Sequence, residues 1–388
     1  MTPGAHLQAA ADLLDDILAG GPAEKVLTGW ARRSRFAGSK DRAAVRDHVF
    51  QALRCRRSYA ALGGADTGRG LMIGLLRAAG TAPEALFDGR GHAPPPLTAA
   101  ETEAAHNRGR GDAMIDLPAW LLPDLRDSLG TDLTATATAL QARAPVMLRV
   151  NLRKGSLRDA VKRLSEDGVA TIPHSIAATA LRVESGARRV GQTAAYREGL
   201  AELQDGSGQA AMAALDLPPD ARVLDYCAGG GGKLLALAAR TRGKWYAHDA
   251  APARMADLPA RAARAGVAVT LLDWAGCKAE APFDLVLCDA PCSGSGTWRR
   301  TPDAKWRLTA AQLNDLIALQ ARILDAAAPL VGPNGILAYA TCSVLRRENE
   351  ARIEAFCASY AGWAPDLQRR WPVGAGGDGF FMARLRRV

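Results

Sequence analysis

The sequence has no apolar run that approaches the ~18 residues a membrane-spanning helix needs, which argues against a membrane span. It also lacks the basic and apolar segments of a secretory signal, because Asp12, Asp15 and Asp16 fall where the apolar part would lie. The seven cysteines are odd in number and lie mostly in apolar runs, a pattern typical of reduced thiols and not of a disulfide framework. No C-x-x-C pair occurs, and no histidine lies near a cysteine pair at ligand spacing, so zinc is not expected. We therefore expect a cytoplasmic protein with no membrane or metal partner.

What the sequence does have is an excess of positive charge. Its 388 residues are enough for two or three domains, and they carry a formal net charge of +9. Residues 24 to 57 hold ten Lys or Arg residues against three acids, which is a net +7 of that total. Such a cluster is either a solvated helical face or a surface for nucleic acid, and at this point the two interpretations are equally open.

One stretch is typical of a ligand-binding edge in an α/β fold. Residues 285–288 are continuously apolar and predict a buried strand. Pro291 and two nearby glycines then force the chain to turn. Asp289 and Cys292 are therefore delivered to the carboxyl edge of a sheet, where open α/β folds hold their ligands.

A second stretch has the same design. Residues 335–340 predict another strand, and Cys342 follows it at the point where a helical segment begins. Neighbouring strands lie only about 4.8 Å apart. If these two strands are neighbours, Cys292 and Cys342 meet over one pocket.

Three successive strands are each predicted to end in an aspartate, namely Asp225, Asp249 and Asp273. Four consecutive glycines, residues 229–232, and then Lys233 follow the first of them, and glycines let a ligand approach the backbone closely. An acid in the position of Asp249 can accept both hydroxyls of a ribose, and Asp273 could accept from an adenine amino group. The glycines do not fit the G-x-G-x-x-G fingerprint of dinucleotide sites. The pattern favours S-adenosylmethionine, which has no pyrophosphate.

Two thiols beside such a cofactor suggest methyl transfer to a pyrimidine. Carbon 5 of the ring becomes a good nucleophile only after a thiolate adds to carbon 6, and a base must later remove the proton on carbon 5. One cysteine is needed for the addition and a second can assist the elimination. A carboxylate such as Asp289 can hold N3 and N4 of cytosine, and Lys233 could lower a thiol pKa or steady the base.

The other cysteines have a plainer interpretation. Cys227, Cys288 and Cys357 lie in apolar runs and are predicted to be core residues. Cys55 and Cys277 have no supporting context.

The motifs around these residues resemble those of the Nol1/Nop2/Sun family of RNA cytosine-5 methyltransferases, and most of all its bacterial Rsm B-type branch, the 16S rRNA type. The likeness covers roughly residues 140 to 388. The matching motifs are Leu203-Gln-Asp-Gly-Ser-Gly-Gln209, Asp225-x-Cys-Ala through Gly-Gly-Lys233, Asp289-Ala-Pro-Cys292-Ser-Gly-Ser-Gly, Arg299-Arg-x-Pro-Asp303-x-Lys305-Trp306, Tyr339-x-Thr-Cys342-Ser and Glu348-Asn-Glu350.

The resemblance implies a fold and a division into domains. Residues 206–388 would form a Rossmann-like class I methyltransferase domain, an α/β fold with a mostly parallel sheet of seven strands. A small α+β RNA-binding subdomain would occupy residues 141–205, and an all-α NusB-like domain with a linker would occupy residues 1–140. The regular alternation of strands and helices beyond residue 205 independently predicts a largely parallel sheet.

The resemblance also implies roles for single residues. Cys342 would be the nucleophile, Cys292 would promote release, and Asp289 would contact the target base. With Lys233 these are the predicted catalytic residues. The predicted cofactor-binding residues are Cys227, Ala228, Gly229, Gly230, Gly231, Gly232, Lys233, Asp249, Arg254, Asp273 and Asp289.

The chain departs from the family pattern in the cofactor loop. Gly229 and Gly230 stand where the family usually has Ala-Pro, and Leu234 stands where it has Thr. The missing proline should loosen the loop by an entropic cost below ~1 kcal/mol.

The resulting hypothesis is an S-adenosylmethionine-dependent methyltransferase, monomeric, that acts on carbon 5 of a cytidine in 16S ribosomal RNA. Transfer RNA is the alternative substrate. A DNA cytosine methyltransferase is a weaker rival, because a target-recognition region is expected after its core and the predicted strand at residues 380–385 lies at the end of this sequence. A catalytically silent RNA-binding assembly factor is also disfavoured, because both thiols, Lys233 and Asp249 are present.

Overall fold

The computed structural model describes residues 1–104 and 114–388, which form two compact units. The first comprises Met1–Arg126, Gly130–Arg143 and Trp298–Leu308, and the second comprises Asp127–Leu129, Ala144–Thr297 and Thr309–Val388. The division into three domains at residues 140 and 205 stays a prediction, and residues 105–113 of the predicted N-terminal domain lie outside the described residues. Within the described ranges, no helix combines the length and the apolar character needed to cross a bilayer.

The first unit is built from helices. They are α1 (Pro3–Leu18), α2 (Ala23–Arg33), α3 (Ser39–Arg54), α4 (Arg56–Gly63), α5 (Gly68–Ala78), α6 (Ala99–Glu103), α7 (Leu122–Leu129, to Arg126 in this unit), α8 (Leu133–Gln141) and α15 (Pro302–Arg307). Leu7 and Leu14 of α1 pack with Val45 and Leu53 of α3 in one fully buried core. The predicted all-α character of this part is therefore confirmed for its described residues.

Helix α15 joins this unit from a distant part of the sequence. Lys305 is 1% exposed and its ammonium donates to the carbonyl oxygens of Arg54 and Asp116. Trp306 Nε1 donates to the carbonyl oxygen of Leu53 at 2.6 Å. Burial lowers the pKa of Lys305 to about 8. The end of α3 and the short α15 are thus joined by side-chain donors that satisfy main-chain carbonyls.

The second unit contains a small antiparallel sheet with strand order β2-β3-β1-β4. Its elements are β1 (Met147–Val150), α9 (Leu157–Glu166), β2 (Ala170–Pro173), β3 (Ala180–Ser185), α10 (Ala194–Arg197) and β4 (Ala201–Leu203). Ser156 caps α9 by accepting from the backbone of Asp159. Strand β4 pairs with the other edge of β1, and its three residues are too few to show an alternating pattern in the sequence.

The same unit contains a sheet of seven strands in the order β10-β11-β9-β8-β5-β6-β7. The strands are β5 (Ala221–Asp225), β6 (Gly243–Ala247), β7 (Val269–Leu271), β8 (Phe283–Asp289), β9 (Val331–Thr341), β10 (Trp363–Trp371) and β11 (Phe380–Arg387). The helices are α11 (Gly206–Ala213), α12 (Gly232–Ala238), α13 (Leu258–Ala265), α14 (Trp274–Glu280), α16 (Ala310–Ala327) and α17 (Glu350–Ser359). All pairs from β7 to β9 are parallel, and β11 is antiparallel to both of its neighbours. The predicted α/β fold with a mostly parallel seven-stranded sheet is confirmed.

The strand order creates a ligand-binding edge in the middle of this sheet. From β5 the chain adds β6 and β7 on one side, and then β8 and β9 on the other. Helical connections therefore leave the carboxyl ends of β5 and β8 in opposite directions, which opens a crevice between them. Asp225 and Asp289 end the two strands that border this crevice.

We expect the stability contributed by Lys305 to change with pH. Its folded-state pKa near 8 lies below the ordinary value of 10.5, so the unfolded chain binds this proton more tightly. Keeping the Lys305 ammonium charged therefore lowers the free energy of unfolding at pH 7. This penalty disappears as the pH rises from 8 to 10.5. The unfolding free energy of the wild type relative to Lys305→Met should rise by about 2 kcal/mol between pH 7 and pH 10, as measured by urea unfolding. Lys162 is an exposed lysine, so the free energy of unfolding of the wild type relative to Lys162→Met should not change over the same pH range.

Candidate active site

The loop after β5 brings the backbone of the glycine run to the crevice. Gly229 and Gly231 have φ angles of +48° and +73°, which a residue with a side chain rarely adopts. A Cβ on Gly231 would also lie 2.2 Å from Leu258 Cδ1. Glycine is therefore required at Gly231 both for backbone conformation and for packing against α13.

Gly230 is explained by a different contact. Arg261 donates from Nη1 to the carbonyl oxygen of Gly230 and also lies 3.6 Å from the carboxylate of Glu202. A Cβ on Gly230 would lie 2.5 Å from that same Nη1. The absence of a side chain at Gly230 thus leaves room for Arg261, which holds the loop through a hydrogen bond.

Asp249 fixes the loop from the end of the neighbouring strand. Its side chain is almost fully buried, and its two oxygens accept from the backbone of Gly229 at 3.0 Å and of Ala251 at 2.9 Å. The half-exposed guanidinium of Arg254 lies 3.4 Å from the same carboxylate. Two predicted cofactor residues, Asp249 and Arg254, are therefore brought together beside the glycine loop.

A cavity of about 870 Å³ opens beside Asp249. It is bordered by the ends of β5, β6 and β7 and contains both Asp249 and Asp273. Asp273 uses Oδ1 to cap α14 by accepting from the backbone of Gly276 at 2.7 Å. The walls of the cavity are largely apolar. The remaining lining residues are Tyr226, His248, Ala250, Pro252, Met255, Ala256, Pro259, Leu271, Leu272, Trp274 and Ala326.

Three aromatic residues of this cavity are not predicted by the sequence patterns. The rings of Tyr226 and His248 are stacked with centroids 4.7 Å apart, and Trp274 lies against Tyr226 edge-on. Tyr226 and His248 stand directly beside the predicted Asp225 and Asp249 in the sequence. Their position next to residues at strand ends is the signal that could have identified them.

Asp225 lies at the back of the crevice. It is 1% exposed, and its Oδ1 is buried with no hydrogen-bond partner. Burial, followed by the negative charge of Asp289, raises its pKa to about 7. The carboxyl group is therefore partly protonated near neutral pH, which limits the negative charge at this point of the site.

Lys233 and Asp289 form an ion pair across the crevice. The ammonium of Lys233 donates to Asp289 Oδ2 and also lies over the ring of Phe380 at 5.1 Å. Burial disfavours the ammonium, but the charge of Asp289 and the hydrogen bond to it raise the pKa of Lys233. Lys233 is therefore a fixed positive charge at the crevice.

The two predicted thiols meet beside this ion pair. Strands β8 and β9 are parallel neighbours in which Asp289 lies opposite Ala340, and Cys292 Sγ is 3.5 Å from Cys342 Sγ. The hydrogen bond from the neighbouring thiol lowers the pKa of Cys342 against the effect of burial, with help from Lys233. The same hydrogen bond, together with burial, raises the pKa of Cys292. The pKa values of the two thiols are therefore shifted in opposite directions, and Cys342 is the one that loses its proton more easily.

A buried polar network holds the residues that follow the two cysteines. Glu348 is 0% exposed and accepts at Oε1 from Ser293 N at 2.8 Å and Gln320 Nε2 at 3.0 Å. Its Oε2 accepts from the hydroxyls of Ser293 and Ser343, each at 2.5 Å. Asn349 is equally buried and donates to the carbonyl oxygen of Ser343 at 2.9 Å. The residues that follow Cys292 and Cys342 are both held by this network.

The remaining thiols lie away from this pair in packing environments. Cys288 is fully buried in the core between the sheet and its helices, as predicted, and Cys227 and Cys357 pack against the same core while half-buried. Burial raises the pKa of each of these thiols. Cys227 belongs to the loop predicted to contact the cofactor, and its side chain packs against the hydrophobic core. Among the described residues, no cluster of potential ligands could hold a metal ion.

Comparisons with known proteins agree with this site. Residues 212–386 match the family model described as 16S rRNA methyltransferase RsmB/F, and residues 117–189 match the ferredoxin-like domain of RsmF/B-like methyltransferases. The ribosomal RNA small subunit methyltransferase B of Xylella fastidiosa is 37% identical over 69% of this chain, and the protein of the same description from Erwinia tasmaniensis is 35% identical over 74%. The aligned stretches span 66% and 70% of those two relatives.

A solved structure extends the likeness of fold to the whole chain. The crystal structure of PH0851 superimposes with a TM-score of 0.75 at 23% identity, covering 100% of this chain and 99% of that one.

The seven-stranded sheet, the glycine loop and the two acids at its cavity define a class I methyltransferase fold built for S-adenosylmethionine. Within that class the chain belongs to the RsmB/F family, on the RsmB branch of the Nol1/Nop2/Sun proteins. The predictions of the family, the fold class and the cofactor are thereby confirmed.

The residues present fit this cofactor. Asp249 lies where a carboxylate can accept from ribose hydroxyls, Asp273 lies further along the same cavity, and the largely apolar walls suit an adenine ring. The cavity volume of about 870 Å³ is ample for a nucleoside.

We expect Asp249→Asn to weaken cofactor binding. The substitution removes the charge and turns an amide nitrogen toward the backbone N–H groups of Gly229 or Ala251. The dissociation constant of S-adenosylhomocysteine, measured by calorimetry, should rise at least about tenfold, the value for a lost charged hydrogen bond. Asp257→Asn is the matched control, because the side chain of Asp257 makes no capping bond at the start of α13. Equal affinities of the Asp249 variant and the wild type would contradict the assignment.

Proposed function

We propose that the protein transfers a methyl group from S-adenosylmethionine to carbon 5 of a cytidine in RNA, with 16S ribosomal RNA as its substrate. The observation that carries the proposal is the 3.5 Å approach of Cys292 Sγ and Cys342 Sγ at the edge of the sheet that also carries the cofactor cavity. The similar proteins of Xylella fastidiosa and Erwinia tasmaniensis, both described as ribosomal RNA small subunit methyltransferase B, support the choice of RNA.

In this proposal Cys342 is the nucleophile. Its thiolate adds to carbon 6 of cytosine, and the electron pair of the 5,6 double bond moves into the ring, so that carbon 5 becomes an enamine carbon. The cofactor supplies an electrophilic methyl group. The lowered pKa of Cys342 supports the assignment, because the thiolate is the attacking species.

Cys292 is assigned to the release of the product. The proton on carbon 5 must leave so that its bonding electrons can re-form the double bond and expel Cys342 from carbon 6. The thiol pair is the acceptor closest to this chemistry, and it ends the cycle with one proton on each sulfur. Cys292 therefore exchanges protons with the departing Cys342.

Asp289 and Lys233 are assigned to the target base. One oxygen of Asp289 is bonded to Lys233, and the other can accept from the N4 amino group of cytosine. Lys233 holds Asp289 in place through their ion pair, and its charge favours the thiolate of Cys342. The cofactor loop around residues 227–232, with Asp249, Arg254 and Asp273, holds the methyl donor.

The positive charge of the helical unit supports RNA as the partner. Nine of the ten basic residues at positions 24–57 lie on α2, α3 and the start of α4, and Arg35 lies in the loop between α2 and α3. Phosphate contacts supply most of the non-specific affinity for nucleic acid.

The proposal predicts a trapped intermediate. RNA that contains 5-fluorocytosine has no proton to lose at carbon 5, so the Cys342 adduct cannot be resolved after methyl transfer. We expect a covalent protein–RNA complex that withstands denaturing electrophoresis in the wild type. It should be absent in Cys342→Ala and retained in Cys292→Ala, while Cys357→Ala, which alters a thiol outside the site, should behave as the wild type.

The same experiment tests the roles of the two cysteines. If Cys342→Ala formed as much covalent complex as the wild type and Cys292→Ala formed none, the two roles would be reversed.

The substrate is tested separately. Transfer to 16S RNA should exceed transfer to transfer RNA and to DNA of matched sequence, and a preference for transfer RNA would contradict the ribosomal assignment.

A further inference from the structure

Glu348 is a buried side chain whose two oxygens are surrounded by hydrogen-bond donors. The backbone of Ser293 and the amide of Gln320 can only donate to it. The hydroxyl of Ser343 accepts from Leu345 N at 3.0 Å, and that of Ser293 accepts from Ser295 N at 3.3 Å, so both hydroxyl hydrogens are available for the carboxylate. All four groups can therefore donate a hydrogen to Glu348, two at each carboxylate oxygen.

The same carboxylate connects the two halves of the thiol pair. Ser293 directly follows Cys292 in the loop after β8, and Ser343 directly follows Cys342 at the end of β9. Glu348 lies on the next turn, Arg346–Glu348, and bonds to both serines. One side chain therefore bonds to the residue that follows each cysteine, a position from which it can hold the two loops that carry the sulfurs.

The charge of Glu348 acts on the protons of the pair. The titratable groups that face Cys292 are Cys342 and Tyr339 of β9 and Glu348 of the following turn. Lys233 of α12 and Asp289 of β8 act on Cys342 as well. A negative charge close to both sulfurs opposes the loss of the last proton, whereas Lys233 favours one thiolate. Glu348 and Asp289 therefore oppose the loss of a proton from Cys342, and the charge of Lys233 favours it.

We propose that Glu348 is the positioning residue of the thiol pair, one that sets the distance between Cys292 and Cys342 and keeps Cys292 as a neutral thiol while Cys342 is a thiolate. This inference rests on the proposed function, which assigns the roles of the two cysteines. At release, Cys292 gives its proton to the departing Cys342 sulfur and receives the proton of carbon 5, so that each bond broken is matched by one formed. The anion makes the pair a better acceptor for that second proton.

The first test needs no RNA. Glu348→Gln keeps the size of the side chain and removes its charge. In a Cys342→Ser background, where Cys292 titrates alone, the pH midpoint of Cys292 alkylation by iodoacetamide is read from its peptide by mass spectrometry. Adding Glu348→Gln should lower that midpoint by about one pH unit or more. Glu354→Gln, an exposed residue of α17, is the control and should leave it in place. An unmoved midpoint in the Glu348 variant overturns the proposal.

The second test follows the reaction. With ordinary cytidine RNA, Glu348→Gln should slow release about tenfold or more, so that a covalent complex accumulates which the wild type does not retain. The KM for RNA should change much less than kcat, since Glu348 contacts no substrate in this proposal. Wild-type turnover and no retained complex would overturn it.

A second variant keeps the test decisive if the charge change disturbs folding. Ser293→Ala leaves the carboxylate and removes one of its four bonds. It should weaken capture of the thiol pair by a monosubstituted arsenical several-fold without lowering the alkylation midpoint of Cys292. Unchanged capture would overturn the positioning role. If the wild type forms no adduct with 5-fluorocytosine RNA, the proposed function fails, while the alkylation midpoint still decides whether Glu348 controls the proton on Cys292.

Discussion

The parallel pairing of β8 with β9 is the constraint on which the site depends. The register puts Asp289 opposite Ala340, so the two strands end at the same edge of the sheet and the loop after β8 meets the end of β9. A slip of one residue would turn every side chain of the strand to the opposite face. The 3.5 Å sulfur contact therefore follows from hydrogen bonds made several residues earlier, between segments 285–288 and 336–340, whose side chains are buried on both faces.

The charges around the thiols come from three different elements. Lys233 of α12 and Asp289 of β8 form an ion pair, and Glu348 of the turn Arg346–Glu348 bonds to the residues that follow the two cysteines. Asp225, almost fully buried and with a pKa raised to about 7, carries only part of a charge near neutral pH. Two chemically identical thiols thus have different surroundings, and opposite shifts of their pKa values follow.

The strands, the glycine loop and the meeting of the thiols could be predicted from sequence because each has a local signal. Buried strands are short apolar runs, and the residues that end them are polar or bend the chain. Glu348 has no such signal. It lies in a motif of the family, but an acidic residue beside Arg346 and Arg347 has the pattern of a solvated turn, and its burial depends on Ser293 arriving from another loop. The aromatic wall of the cavity and the short strand β4 are determined by long-range packing in the same way.

The most distant of these long-range features is α15. It starts ten residues after Cys292, yet Lys305 and Trp306 complete the hydrogen bonds at the end of α3. The helical unit is consequently not formed by one continuous segment of the sequence. A fragment that stops at residue 143 would leave the main-chain acceptors of Leu53 and Arg54 without these donors, and a fragment that begins at residue 144 would carry Lys305 and Trp306 without their acceptors. A single cut at this point therefore separates hydrogen-bonded partners that belong to one compact unit.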